Sequence, residues 1–511
     1  MLGLTFARQS VLLGTGGLLF AYWFLRYTRR QSKGPLPPGP KGLPIVGNVF
    51  DMPPPGVPEW QHWQKHKELY GGISSVTVMG QTLILIHDRE IAFELLGKQA
   101  LKNSSRPHFS FASDLVGYSR LMIFQAYDLS LRQQRRMAAT QVGNKAVIKF
   151  QPFQEAAARR LLQLIIENPT ELKESLPNVT GSLMLEMLYG YRTGDKQTES
   201  LSALISQVAA EFSSATSPGR WLVDMIPALK HLPDWFPGTG FKATAKIWKS
   251  NLLQSIREPY EYVRQEMAEG ADNTSYVSGL IKDINRAIDF EEAEQISCSA
   301  QGLFAGGTDT SSSTLHAFFL AMILYPEVQE KAQAEIDSVV GGERLPIFSD
   351  RLRLPYIEAI VQELLRWHSA TPMGFPHMVS EDDRYHGYLI PKGALIMPSI
   401  AFMGRDPAVY HDPEAFKPER FTEPFNEPPT PSTAFGFGRR VCPGRWMVEQ
   451  LLFIVTAQCL AVFNMNKAVD VNGVVMEPKY EQTAGTLSHL KPYPYHIAPR
   501  SEKHRQLVKC S

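Results

Sequence analysis

The sequence predicts a mainly α-helical protein with a small β part, folded as a single large domain behind an N-terminal transmembrane helix. Apolar residues recur at helical spacing from Ile91 to about Arg366. Strand-like patterns are confined to the segment before Asp88 and to HGYLIPKGALIMPSI, residues 386–400. No internal repeat or low-complexity tract interrupts the 511 residues.

The composition narrows the class of protein. Hydrophobic residues at 44% and charged residues at 20% are typical of a globular chain. With a net charge of +1 and no basic stripe interleaved with aromatic residues, nothing indicates nucleic-acid binding. The cysteines form no CxxC pair, which argues against zinc sites and a disulfide framework and favours a reducing compartment. They are Cys298, Cys442, Cys459 and Cys510.

Residues 1–30 are predicted to form a membrane anchor, with a helix at about residues 10–27. Seventeen uncharged residues separate Arg8 from Arg26, a helical length of about 26 Å, which is near the hydrocarbon thickness of the endoplasmic reticulum membrane. The positive charges gather after this run, so the positive-inside rule places the body in the cytoplasm. A cleaved signal peptide is the alternative, but its positive charges would precede the apolar run.

The elements of the body follow from local patterns. Residues 31–41 contain GPLPPGP and predict a stiff hinge before a domain at 42–511. Ile73–Met79 and Thr82–Ile86 flank Gly80 and predict a hairpin. The remaining predictions are helices at 326–340 and 356–367, two short strands around a Pro391–Gly393 turn, a proline-rich loop at 406–431 and an apolar helix at 445–463.

The segment FGFGRRVCPG, residues 435–444, places Cys442 among three glycines, a proline and two arginines. The glycines allow backbone N–H groups to approach the sulfur, and a thiolate needs such donors and nearby positive charge. Pro443 starts the next helix well, which brings the positive end of the helix dipole near the sulfur. The alternative is that Cys442 is a small buried hydrophobe.

The pattern F-x-x-G-x-R-x-C-x-G is satisfied by Phe435, Gly438, Arg440, Cys442 and Gly444. It resembles the haem-binding loop of the cytochrome P450 superfamily. The resemblance implies that residues 42–511 form a haem domain and that the cofactor is haem b. Cys442 would then be the axial ligand of the iron, Phe435 its packing neighbour and Arg440 a partner of a haem propionate.

A second matching motif is ExxR, at Glu363 and Arg366. Alone it is weak, because such pairs are usually surface salt bridges and three others occur: Glu261/Arg264, Glu381/Arg384 and Glu502/Arg505. Glu363 stands out because its helix is apolar and KPERF follows at 417–421. The resemblance makes Arg420 the third member of a buried structural cluster.

A third match is AGGTDTSSS, residues 305–313, which resembles the oxygen-activating segment of the family's long central helix. Gly306 and Gly307 would loosen the helix beside the iron. Asp309 and Thr310 would relay protons, a general-acid role. The alternative is that the Thr310 hydroxyl only bonds back to the carbonyl of Gly306.

The proximal helix departs from the family. Where W-R-x-x-R is usual, LRQQRR has Leu131 in place of tryptophan, while Arg135 remains. Arg135 and His377 are the further residues expected to hold the propionates. A patch for an acidic electron donor is expected at Arg132, Arg136, Arg439 and Arg445, although a solvated face is the alternative.

The resemblance covers the chain from Pro37 to its C-terminus and is strongest to fungal microsomal members, as in SPGRWLVDMIPALKHLPDWFPG, residues 217–238. It implies an endoplasmic reticulum enzyme with a cytoplasmic catalytic domain, supplied with electrons from NADPH by NADPH-cytochrome P450 reductase, with cytochrome b5 as a second candidate donor. It places the roof of the substrate pocket at 110–125, 212–230, 371–375 and 483–489.

The candidate pocket residues are largely apolar, so the expected substrate is a lipophilic small molecule, although these side chains could equally be ordinary core. They are Phe111, Leu115, Leu121, Phe124, Phe304, Met373 and Phe375. The expected function is insertion of one oxygen atom from O2, in fungal secondary metabolism such as terpenoid biosynthesis. Two alternatives remain. One is a haem-binding sensor or carrier without turnover, suggested by Leu131. The other is an isomerase or dehydratase on the same fold, disfavoured by Asp309 and Thr310.

Overall fold

The computed structural model describes residues 34–191, 196–216, 219–284 and 286–509. In this part of the chain the helices are α1 (Glu59–Tyr70), α2 (Arg89–Ala92), α3 (Leu129–Val142), α4 (Gln151–Glu167), α5 (Leu172–Tyr189), α6 (Lys196–Ala215), α7 (Leu222–Met225), α8 (Gly240–Ala268), α9 (Tyr276–Ile284), α10 (Phe290–Leu324), α11 (Pro326–Val339), α12 (Pro355–Trp367), α13 (Ile400–Met403), α14 (Pro431–Ala434), α15 (Arg445–Val462) and α16 (Glu502–Lys509). Short π and 3-10 turns occur as well, among them Ser110–Val116, Pro418–Phe421 and Gly438–Arg440.

Within the described ranges, the strands form one four-stranded sheet and two two-stranded ribbons. They are β1 (Ile73–Val78), β2 (Gln81–Ile86), β3 (His377–Met378), β4 (Asp383–Tyr385), β5 (Tyr388–Ile390), β6 (Leu395–Pro398), β7 (Phe463–Asn466) and β8 (His496–Pro499). The sheet has the order β1-β2-β6-β3, with β2 and β6 parallel and the other pairs antiparallel. The ribbons are β4-β5 and β7-β8. The predicted class, mainly α with a small β part, is confirmed.

The predicted first hairpin is confirmed and its turn has a clear cause. Val78 pairs with Gln81, so the loop has two residues, Met79 and Gly80. Their φ angles are +49° and +85°. Positive φ at both positions gives the backbone twist that two-residue hairpin loops need. The turn therefore fixes the register of β1 and β2.

The two strands predicted around Pro391–Gly393 exist, but they do not pair with each other. β5 pairs with β4, and β6 pairs with β2 and β3. The parallel pairing of β2 with β6 joins residues about 310 positions apart, for example Ile84 with Ile396. Such a partner is chosen by the tertiary fold and leaves no local signal.

The helical core is built around α10, which packs against α5, α3, α8, α12 and α15. A capping box at Asp289 and Glu292 begins α10. The predicted helices at 326–340 and 356–367 are observed as α11 and α12, and both have a proline in the first turn. The predicted C-terminal apolar helix is observed as α15. This helix is long and apolar because it crosses the core.

The predicted anchor at 1–30 and the first three residues of the hinge, 31–33, lie outside the described residues. Among the described residues, one helix is long and apolar enough to cross a membrane, and it is α15. Since 83% of its apolar window is buried inside the protein, α15 is a core helix.

Candidate haem-thiolate site

The loop at 435–444 is a tight turn that presents Cys442 just before α15. The N–H of Cys442 donates to the carbonyl of Phe435 at 2.8 Å, which closes the loop. Gly438 has a φ of +55°, and a Cβ there would lie 2.1 Å from the carbonyl oxygen of Leu96. No side chain fits in that gap. Gly438 is therefore required by the close approach of the loop to residues 96–97.

The Cys442 sulfur lies at the N-terminus of α15, where the N–H groups of Gly444 and Arg445 donate to it. Burial raises the pKa of the thiol, while these two N–H groups and the charges of Arg135 and Arg445 act in the opposite direction. A cation at the sulfur is what would complete the stabilisation of a thiolate.

The Arg440 side chain turns away from the sulfur. Its guanidinium donates to three backbone carbonyls, those of Ser104 at 2.6 Å, Met122 at 2.9 Å and Gln125 at 2.5 Å. The Arg439 guanidinium instead lies over the ring of Tyr127 at 5.4 Å from its centroid. Arg440 thus ties the cysteine loop to the segment before α3.

Four side chains that can carry positive charge lie together beside the loop: Arg106, Arg135, His377 and Arg440. Burial, followed by the charges of Arg440 and Arg135, lowers the pKa of Arg106 well below its ordinary value. Burial and then Arg135 lower the pKa of Arg440 to about 10. Burial and then Arg106 lower the pKa of His377 well below its ordinary range. The charges of Arg106, Arg135 and Arg440 therefore repel one another in a buried position, and His377 beside them is held in its neutral form.

The hydrogen bonds of this cluster go to backbone carbonyls. Arg106 Nη1 donates to the carbonyls of Phe375 and Pro376, each at 2.7 Å. Arg135 Nη2 donates to the carbonyl of Val441 at 2.8 Å, which links α3 to the cysteine loop. His377 Nδ1 is 2.8 Å from the carbonyl of Asn103.

The cluster fits an anionic group. Within the described residues, no carboxylate lies at ion-pair distance from Arg106, Arg135 or Arg440, and Arg106 Nε is buried without a hydrogen-bond partner. Buried charges are normally paired, so this arrangement calls for anions supplied from outside the chain. Haem carries two propionates, and the cysteine that could bind its iron lies next to Arg135. The residues present therefore fit a haem.

Arg106 is the one member of the cluster that the sequence did not predict. It stands in SSRPHF, outside every motif, and its carbonyl partners are 269 and 270 residues away in the chain. Only the packing of these two segments brings it to the cysteine loop.

The middle of α10 faces open space. Ala305 and Gly306 are exposed although the helix is otherwise largely buried, and a Cβ at Gly306 would meet no atom within 4 Å. At Gly307 a Cβ would lie 2.7 Å from Met184 Sδ on α5. The helix is continuous through both glycines, and Gly307 allows close packing against α5. That the two glycines loosen the helix stays a prediction.

The middle of α10 and the cysteine loop both lie next to the segment that contains Met122. The Met122 carbonyl accepts from Arg440, and the Met122 methyl would be 3.6 Å from a Cβ on Gly302. Gly302 lies one turn before Gly306. The space beside Gly306 is therefore close to the cysteine loop.

Asp309 and Thr310 follow directly on α10. Thr310 Oγ1 donates to the carbonyl of Gly306 at 2.6 Å. This backbone hydrogen bond is the expected alternative to a proton relay. The Asp309 carboxylate lies 3.2 Å from His489 Nε2. No sequence pattern indicates this partner, which is 180 residues further along the chain.

The structure brings Glu363, Arg366 and Arg420 together in the core. Arg366 Nε and Nη2 each donate to Glu363 at 2.7 Å, and Arg420 Nε lies 3.0 Å from the same carboxylate. Their side chains are 0%, 0% and 3% exposed. By contrast, Glu261 and Arg264 are 63% and 58% exposed, so this other ExxR pair lies at the surface.

Three of the four arginines predicted to form a patch for an electron donor are exposed at the surface. Arg132, Arg136 and Arg439 are exposed, whereas Arg445 is half-buried and forms an ion pair with Glu449 at 2.8 Å. Leu131 is fully buried in the helical core. The position that carries tryptophan in the resembled motif therefore leaves no gap.

Some of the residues predicted to line the substrate pocket are instead buried in the protein core. Phe111 is fully buried and stacks on Trp221 with ring centroids 3.6 Å apart. Leu121 and Phe304 are also buried, while Leu115, Phe124 and Phe375 are half-buried. The half-buried side chains are the ones that remain able to contact a bound molecule.

The site combines three features: a loop that presents Cys442, a neighbouring cluster of cationic side chains without carboxylate partners among the described residues, and open space beside the middle of α10. Together they define a haem-thiolate class of site. Comparison with known proteins agrees. The family model described as Cytochrome P450 matches residues 37–496, so the chain belongs to the cytochrome P450 family. Membership implies haem iron as the cofactor.

Several curated relatives match over nearly the whole chain. The protein called cytochrome P450 monooxygenase claR of Ampulloclitocybe clavipes is 44% identical over 96% of this chain and 91% of its own. Cytochrome P450 monooxygenase CLM2 of Gibberella zeae is 41% identical, covering 98% and 95%. An O-methylsterigmatocystin oxidoreductase of Aspergillus flavus is 35% identical, covering 98% and 94%. The chain is accordingly a monooxygenase, and so an oxidoreductase.

Proposed function

We propose that this protein inserts one oxygen atom from O2 into a lipophilic small molecule, as a membrane-anchored enzyme of fungal secondary metabolism such as terpenoid biosynthesis. The observation that carries the proposal is the pairing of Cys442 with the buried cluster of Arg106, Arg135, Arg440 and His377. Cys442 can offer a thiolate to iron. The cationic cluster has no carboxylate partner among the described residues, and the two propionates of a haem would supply one.

Each residue of the site has a proposed role. Cys442 ligates the iron, Phe435 packs beside it, and Gly438 and Gly444 let the loop approach. Haem with a thiolate ligand supplies the oxygen-activating chemistry of this class. The propionates are held by Arg106, Arg135, Arg440 and His377, and two carboxylates there would raise the pKa of His377 because they favour its charged form.

Asp309 and Thr310 are proposed to hold and move the protons that oxygen activation consumes. For this the Thr310 hydroxyl leaves the carbonyl of Gly306 and donates into the open space. The presence of both an acid and an alcohol supports oxygen chemistry over an isomerase or dehydratase. Glu363, Arg366 and Arg420 act structurally, since all three are enclosed by protein.

The roof residues and the relatives support the proposed substrate class, and the sequence of residues 1–30 supports the proposed location. The half-buried roof residues are apolar, which favours a lipophilic substrate. One relative is named for O-methylsterigmatocystin, which supports a small organic molecule. Residues 1–30 are proposed to anchor the protein in the endoplasmic reticulum with the catalytic domain in the cytoplasm. Electrons come from NADPH through NADPH-cytochrome P450 reductase, with cytochrome b5 as a second donor, at the face carrying Arg132, Arg136 and Arg439.

The carbon-monoxide difference spectrum of the reduced protein tests this proposal. Wild type is expected to absorb at about 450 nm, as thiolate-ligated haem does. Cys442→Ala is expected to lose that band, while Cys459→Ala, a buried cysteine of α15 outside the loop, is expected to keep it. A band that survives in Cys442→Ala refutes the ligand assignment. NADPH consumption with a reductase then separates an enzyme from a haem carrier without turnover.

A further inference from the structure

Among the residues that the structure describes, the Asp309 carboxylate has one ion-pair partner, His489, which lies on a loop far from α10 in sequence. Their atoms Oδ2 and Nε2 are 3.2 Å apart, and the two side chains are 44% and 43% exposed. His489 therefore contacts Asp309 on one side and is accessible on the other. Imidazole is the side chain that gains and loses a proton between pH 5 and 8.

The backbone of this loop is fixed, so the contact does not depend on a mobile chain. The N–H of Thr483 donates to the carbonyl of His489 at 2.8 Å, and the N–H of His489 donates to Thr483 Oγ1 at 3.0 Å. Ser313 Oγ, one turn beyond Thr310 on α10, donates to the carbonyl of Ser488 at 2.6 Å. The helix that carries Asp309 thus also positions the residue that precedes His489.

The charged and titratable groups around His489 come from three other elements. Asp309 and His316 lie on α10, Lys173 lies on α5, and His368 follows α12. Burial lowers the pKa of His316 to about 4 and that of His368 to about 3, so both are neutral near pH 7. The hydrogen bond to Asp309 raises the pKa of His489 above 6.5, against the opposing effects of burial and Lys173.

We infer that His489 is a positioning residue that holds Asp309 and supplies it with protons from solvent. This inference rests on the proton-relay role proposed for Asp309 and Thr310. In the transfer, the Nε2–H bond of the imidazolium breaks and an O–H bond forms at Asp309, so the two charges cancel. Asp309 then passes this proton to Thr310 Oγ1, which releases its own hydroxyl proton into the open space beside Gly306. The neutral imidazole is protonated again by hydronium from the solvent.

The direction of the pH dependence follows from the raised pKa of His489. The imidazolium predominates below the raised pKa and is lost as pH rises through that value. Turnover of the wild type is therefore expected to fall over that window. His489→Gln keeps a hydrogen-bonding side chain but cannot carry the proton, so its turnover is expected to be lower by about tenfold or more and to lack this dependence on pH.

The matched control is Lys491→Gln. Lys491 lies two residues further along the same segment and pairs with Glu481 at 3.0 Å, so its loss removes a positive charge without touching Asp309. It is expected to keep the wild-type pH profile. All three proteins should show the band near 450 nm, which excludes a merely structural defect.

A second measurement is independent of turnover. Nuclear magnetic resonance of ring-labelled histidine in the haem-loaded protein gives the pKa of His489, whose signal is assigned by its absence in His489→Gln. The pKa is expected above 6.5 in wild type and lower in Asp309→Asn. An unshifted pKa in Asp309→Asn, or a His489→Gln protein with wild-type or faster turnover, overturns the inference. Failure of the proposed function itself would be seen in wild type, as absence of the band or of oxygenated product.

Discussion

Replacing Glu363 with glutamine tests whether the buried cluster holds the core together. The Glu363 carboxylate accepts from Arg366 twice at 2.7 Å, from the N–H of Lys417 at 2.7 Å and from Arg420 at 3.1 Å. Arg420 retains Glu427 at 2.7 Å, but Arg366, at 0% side-chain exposure, has no second carboxylate within the described residues. Glu363→Gln therefore leaves a buried cation unpaired.

Breaking a buried pair from one side typically costs about 3–5 kcal/mol of unfolding free energy. The chain contains its own control in Glu261→Gln, because Glu261 and Arg264 have the same ExxR spacing but are exposed, and an exposed pair contributes roughly 0–1 kcal/mol. Urea unfolding followed by far-ultraviolet circular dichroism compares the two variants. If Glu363→Gln were within about 1 kcal/mol of Glu261→Gln, the argument that burial sets the cost would be refuted.

Two further predictions concern the neighbouring glycines of α10 and the unpredicted arginine. Because a Cβ is unobstructed at Gly306 but meets Met184 at 2.7 Å at Gly307, Gly307→Ala is expected to be less stable than Gly306→Ala by about 1–3 kcal/mol in thermal or urea unfolding. Gly306→Ala should nevertheless lower turnover, because the added methyl group enters the open space beside α10. Equal stability of the Gly306→Ala and Gly307→Ala variants would contradict the packing argument. Arg106→Gln is expected to lose haem to apomyoglobin about tenfold faster or more, because it removes one charged hydrogen-bond donor, whereas the exposed Arg264→Gln should match wild type.

The parts of the site that could be predicted are those whose residues are close in sequence. The cysteine loop closes on itself over residues 435–442, so its glycines and its cysteine appear as one pattern. Glu363 and Arg366 are one helical turn apart, and Asp309 and Thr310 are adjacent. In each case local geometry constrains which residue types can occur, and the constraint is visible in the sequence.

The parts that could not be predicted depend on contacts between distant segments. Arg106 meets residues 375 and 376, Asp309 meets His489, and β2 pairs with β6. An arginine near a serine or a histidine near a leucine carries no information about a partner hundreds of residues away. For the same reason the direction of the Arg440 side chain was missed: its three carbonyl acceptors lie more than 300 residues earlier.

The cationic cluster also bears on the departure at Leu131. A tryptophan there would add one neutral N–H donor, whereas Arg106 adds a full charge next to Arg135 and Arg440. In the haem-free chain these cations repel one another in a buried position, and this lowers the stability of the fold. A dianionic ligand removes the repulsion, and any ligand that binds only the folded state stabilises it. With the propionates at the proposed site, haem binding and folding are coupled through Arg106, and a leucine in the core at position 131 is compatible with firm retention of the cofactor.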